Sequence, residues 1–166
     1  MSERQRLQAL FMEHARHILR LAESLPRERW QDQPISGPAT HLGNRVDKIH
    51  VENLLRHLAI AQDHFVASIA AADEEGAITP PPSMIAEASA LDEWEARMAA
   101  TAERITPIDL DKTVLFQERR YTAGGLLWAF VGHFAYHLGQ IDLVIRQLGV
   151  EPPDYLAWAA PGEVVA

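Results

Sequence analysis

Two histidines, His133 and His137, stand four residues apart in Gly132-His-Phe-Ala-Tyr-His137. On a helix that spacing stacks the two imidazoles on one face, where a single ion can take a nitrogen from each. The stretch around them, Leu126 to Ile145, is otherwise largely apolar. Ring nitrogens in such a setting have two explanations. Either the histidines are neutral, packed and hydrogen-bonded to a carbonyl or carboxylate, or they ligate a metal. A third ligand from another helix would favour the metal, and His57 in Leu54-Leu-Arg-His-Leu-Ala-Ile60 is the candidate. Three imidazoles would hold Zn²⁺, Ni²⁺ or Fe²⁺ and leave at least one position open to water or substrate. An ion so held acidifies a bound water or thiol, or polarises a carbonyl, with no nucleophile from the protein.

Several residues near this triad have more than one possible role. Gln140 lies seven residues after His133, on nearly the same stripe, where it can orient His137 or a bound water, or make a plain helix-interface hydrogen bond. Asn53, one turn before His57, faces either the same cavity or solvent. Tyr136 and Trp128 can line the pocket mouth or belong to the core. His14, His64 and His50 are alternative ligands, although surface, capping or packing roles suit them better; His17 and His41 read as surface or loop residues. Phosphate-loop, G-x-S-x-G, H-E-x-x-H and EF-hand patterns are absent from the sequence, and Asp109 and Asp111 read as solvated loop residues.

The elements that must position these side chains are helical. Leu7, Leu10, Phe11, His14, Ile18, Leu21 and Leu25 fall on one face of a first helix that spans about Glu3 to Leu25 and ends at Pro26. Residues 26 to 47 carry Pro34, Gly37, Pro38 and Gly43 and form a long connection with room for one short turn. The second helix spans roughly His50 to Ala72, with His57 inside its apolar arc. A break follows over residues 73 to 83, ending in Pro80-Pro-Pro82. The third helix fits Leu91 to Ile105, with Ser89 and Asp92 as a capping pair. Around Thr113-Val-Leu-Phe116 the alternation suits a short strand or hairpin. Thr122 then caps the fourth helix, which runs to Leu148 and stops at Gly149. The expected fold is all-α, a four-helix bundle with at least one crossover connection, in which facing helices build a site in the core.

The chain has 166 residues, 48% of them hydrophobic, enough for one well-buried core, so a single domain over residues 1–166 is expected. With 23 acidic and 15 basic residues the formal charge is −8, and the basic residues form no stripe, which disfavours nucleic acid and anionic membranes as partners. The absence of cysteine removes thiolate nucleophiles, disulfides and sulfur-ligated metals, so any ion is held by nitrogen and oxygen. No signal-peptide pattern opens the sequence and no uninterrupted apolar span crosses a membrane, so a cytoplasmic protein is expected.

At this point the residues resemble a known family. Val51-Glu-Asn-Leu-Leu-Arg-His57-Leu-Ala and Gly132-His133-Phe-Ala-Tyr-His137-Leu-Gly-Gln-Ile141 look like the two histidine motifs of the DinB-like, or DinB/YfiT-type, metalloenzyme superfamily. The resemblance implies an up-down-down-up bundle, a divalent metal on His57, His133 and His137, and often a homodimer. It also implies a small-molecule substrate, in characterised members a low-molecular-weight thiol such as bacillithiol, mycothiol or glutathione used in transfer or isomerisation. Where many relatives carry a glutamate five residues after the helix-two histidine, this chain has Gln62. The rival expectation is a non-catalytic, stress-associated binding or dimerisation bundle whose metal, if any, is structural and closed by a fourth ligand such as His14 or His64.

Overall fold

The structure is a computed structural model that describes residues 1–35, 49–72 and 94–153. Helix α1, Glu3–Glu23, starts with a reciprocal cap. The Gln5 N–H donates to the Ser2 hydroxyl at 3.3 Å, and the Ser2 N–H donates to the Gln5 side-chain Oε1 at 2.7 Å, so two donors that the first turn leaves open are satisfied. Its buried stripe is Leu7, Phe11, Ala15, Ile18, Leu21 and Ala22. A 3₁₀ turn at Arg27–Arg29 follows Pro26, and the buried Trp30 indole N–H then reaches back 3.0 Å to the carbonyls of both Ala22 and Leu25, closing the helix end.

Helix α2, Val51–Ala71, is capped by a residue outside the usual set: the His50 ring Nδ1 accepts from the Asn53 N–H at 3.3 Å. Helix α3 is described over Trp94–Glu103 and ends two residues before the expected Ile105; residues 91–93, where it was expected to begin, lie outside the described residues. The all-α expectation needs one correction. Strands β1, Thr113–Phe116, and β2, Arg119–Thr122, pair antiparallel with Val114 opposite Tyr121. Gln117 and Glu118 between them hold φ of 50° and 63°, the left-handed values that a tight two-residue hairpin demands and that Asn and Gly usually supply. Helix α4, Ala123–Gln147, follows directly, its Thr122 hydroxyl accepting from the Gly125 N–H at 3.0 Å. Gly149, at φ +79°, is the expected stop.

Contacts between α1 and α4 climb both helices together, from Trp128 on Glu3, through Phe11 edge-on to Phe134 at 4.9 Å, to the Arg29 guanidinium on the Leu148 carbonyl at 3.2 Å. Those between α1 and α3 run the other way: the Gln8 amide donates to the Ala102 carbonyl at 2.9 Å, and the Trp94 indole to the Ala15 carbonyl at 3.1 Å. Two apolar clusters fill the interior. One joins Phe11, Ile18, Leu21, Leu54, Leu58, Phe134 and Ile141; the other joins Leu7, Ala61, Phe65, Ile105, Val114, Leu126 and Phe130. His57, His133 and His137 sit where these clusters meet, between α2 and α4. The segments expected at 36–48, 73–93 and the C-terminal tail from residue 154, His41 among them, lie outside the described residues.

Candidate metal centre

The i, i+4 spacing in α4 and the burial of α2's apolar arc bring the three imidazoles together. Nε2 of His133 lies 3.1 Å from Nε2 of His57 and 2.9 Å from Nε2 of His137. The ring centroids of His57 and His137 are 4.7 Å apart, at 67°. Among the described residues these three form the one group of ligand-type side chains whose donor atoms all lie within 4.8 Å of one another. His57 and His137 are 4% and 3% exposed, whereas His133 is half-buried and gives the cluster its open side.

The chemistry of this donor set fits a transition ion. Nitrogens each held at about 2.0–2.1 Å from one ion stand about 3 Å apart at right angles and about 3.3 Å apart at tetrahedral angles. The two shortest separations here lie in and just below that range. Ligation also requires neutral rings. Burial pushes the His137 pKa down to about 4, a Gln140 hydrogen bond acting weakly in the opposite direction, so the ring is neutral near pH 7.

Around the triad lie two glutamines and a tyrosine. Gln140 Oε1 is 2.6 Å from His137 Nδ1, the geometry in which an Nδ1–H donates and Nε2 keeps its lone pair for the cluster. The Gln140 amide nitrogen in turn donates to the Tyr136 hydroxyl at 3.1 Å. The Tyr136 ring is 5.0 Å from that of His137 and 57% exposed, which puts it at the rim of the site. Asn53 occupies the first turn of α2, half-buried, with its backbone N–H on His50. Trp128 is elsewhere. Nine residues before His137 on a 3.6-residue helix puts it about half a turn away, and its indole donates to Glu3 at 2.9 Å at the start of α1, so the pocket-mouth role is corrected.

His14 and His64 stand outside the three-nitrogen group, and His50 is spent on its cap. His17, expected at the surface, is instead buried in α1 at 3% exposure. Gln62, read from the sequence only as a departure from the family motif, proves to touch the triad. Fully buried in α2, it places its amide nitrogen 3.0 Å from His133 Nδ1 and 3.4 Å from the Phe130 carbonyl oxygen. Its position five residues after His57, where the resemblance led one to expect a carboxylate, was the available signal.

Residues 1–161 match the family described as the DinB family. No curated protein matches the chain.

Proposed function

This chain belongs to the DinB family, and from that premise we propose that it is a metal-dependent enzyme whose His57, His133 and His137 hold a divalent transition ion. The observation that carries the reading is the convergence of three ring nitrogens, from two helices 76 residues apart in sequence at His57 and His133. A ligand set of three protein nitrogens is the composition of catalytic sites, which keep a position for substrate, whereas structural sites are closed by four. When bound, the ion would supply Lewis acidity and lower the pKa of a thiol or water that reaches it. The chain's own residues then orient and shield. Gln140 holds the His137 ring by its Nδ1 edge, Tyr136 holds Gln140, and the apolar clusters on either side keep water from all but the His133 side.

We extend the proposal to a thiol-dependent transferase or isomerase type, with a low-molecular-weight thiol as cosubstrate. It is supported by the resemblance and by the absence of cysteine, which leaves the nucleophile to come from outside. The contacts of α1 with α4, running the same way, and with α3, running the other way, support an up-down-down-up bundle. A homodimer is part of the proposal on the strength of the resemblance, and a cytoplasmic location is proposed with it; no helix among the described residues is long and apolar enough to cross a membrane.

Elemental analysis of untagged protein tests the reading. About one ion per chain in the wild type, lost in the alanine variants of His57, His133 and His137, justifies a screen of small thiols as cosubstrates. No ion after reconstitution overturns it in favour of packed, mutually hydrogen-bonded histidines.

A further inference from the structure

Gln62 reaches from α2 to α4 with one atom, and that atom fixes a proton. Its Nε2 faces the Phe130 carbonyl oxygen at 3.4 Å and His133 Nδ1 at 3.0 Å. A carbonyl oxygen only accepts, so the amide end beside it is the nitrogen, and His133 Nδ1 is therefore an acceptor. A neutral imidazole carries a single proton, which then sits on Nε2, the atom facing His137 Nε2 at 2.9 Å. His137 suits the complementary part: its Nδ1–H donates to Gln140 and its Nε2 accepts. A hydrogen-bond chain thus runs from the fully buried Gln62 through His133, His137 and Gln140 to the exposed hydroxyl of Tyr136.

An ion at the triad requires the other tautomer of His133. Its Nε2 must offer a lone pair, so the proton passes through solvent to Nδ1, which must then donate. The atom of Gln62 that could accept is Oε1, which is buried and makes no hydrogen bond among the described residues. Turning the amide over to present it would set that oxygen against the Phe130 carbonyl and leave the NH₂ buried where Oε1 now lies. A carboxylate at this position would have no such conflict, since both of its oxygens accept.

We propose that Gln62 is a positioning residue that holds His133 in the tautomer opposed to ligation, so that the site binds its ion loosely and exchangeably. The proposal rests on His57, His133 and His137 being the ligands. It deepens that reading by making metal occupancy a property tuned from α2. A site tuned in this way fills and empties with the free concentration of the divalent ion, where a carboxylate-supported site stays loaded.

Two measurements test it. The first is Zn²⁺ affinity, by competition with a chromophoric chelator, for wild type, Gln62→Glu and Gln62→Met. Supplying an acceptor for Nδ1–H in Gln62→Glu tightens binding by about ten- to a hundredfold. Removing the opposing donor in Gln62→Met tightens it by roughly two- to tenfold. A merely structural role for Gln62 weakens binding in both. The second is the ¹⁵N shift pattern of His133 in ion-free wild type, which reports Nε2–H; Nδ1–H there overturns the proposal. Zn²⁺ binding in wild type with unchanged or weaker affinity in both variants overturns the role of Gln62 and leaves the ligand assignment standing. No uptake by the wild type overturns the ligand assignment, and the proposal that rests on it falls with it.

Discussion

At the level of His133 and Phe134, helix α4 turns hydrocarbon to α1 and nitrogen to α2. Phe134, fully buried, meets Phe11 edge-on at 4.9 Å, and Ile141, Val144 and Ile145 extend the same contact toward Ile18 and Leu21. One residue earlier, His133 turns about 100° around the helix and meets His57 and Gln62 instead. The difference teaches how a small bundle holds a polar site without forfeiting its core. The seam that does chemistry is confined to one interface, and there the three Nε2 atoms face one another while the Nδ1 atoms of His133 and His137 each face a glutamine amide, so part of the desolvation cost of the imidazoles is offset locally. The histidines of α1 complete the contrast. His14 and His17 also lie along the buried side of α1, three residues apart, but among the described residues they join no group of three ligand-type donors. Burial of imidazole is common to both regions; among the described residues, convergence of three ring nitrogens from two helices belongs to one.

Adjacent substitutions break the comparison most sharply. His133→Ala takes metal content from about one ion per chain to below about a tenth while leaving helical circular dichroism near wild type. Phe134→Ala lowers the unfolding free energy by about 3–5 kcal/mol, because a fully buried ring leaves a cavity in the contact with Phe11. Elemental analysis and urea denaturation of the two variants separate the roles, and a His133→Ala chain as unstable as Phe134→Ala would merge them.

Acid titration sharpens the contrast between the histidine sets. Burial first, and then the charge of His17, push the His14 pKa below its ordinary 6.5. The unfolded chain therefore binds a proton at about pH 6.5 that the folded chain takes up only at lower pH. Stability from this residue is complete above 6.5 and is lost as pH falls through that window. His14→Leu should flatten the dependence of the denaturation midpoint on pH in ion-free protein without changing metal stoichiometry; a loss of metal in that variant would place His14 in the site after all. The smallest effect is expected at Thr122. Alanine there removes the acceptor for the Gly125 N–H and costs about 1 kcal/mol, with metal affinity unchanged, since the cap lies more than two turns before His133.

Much of the site was legible because its parts obey helical periodicity. The four-residue spacing of His133 and His137, the mid-helix depth of His57 and the stripe shared by Gln140 can all be read from the sequence. Trp128 was misplaced although the same periodicity sets it on the far side of α4, where it meets Glu3. Gln62 could be seen as a departure from a motif, but its contact with His133 spans 71 residues and depends on how α2 and α4 settle against each other. The hairpin was weakly marked because Gln117 and Glu118 carry none of the usual turn chemistry. His50 caps α2 with a ring nitrogen, a role propensity tables give to short oxygen side chains. What the sequence withheld was in each case a tertiary contact or a residue type used against its local preference.

The most direct test of the central claim is X-ray absorption spectroscopy on Zn²⁺-loaded wild-type protein, with the number of imidazoles taken from the multiple-scattering pattern. Three imidazoles per ion at about 2.0–2.1 Å, plus a lighter exchangeable ligand, is the expected result. Two or fewer imidazoles, or a shell dominated by carboxylate oxygen, would contradict the assignment of His57, His133 and His137 as the metal site.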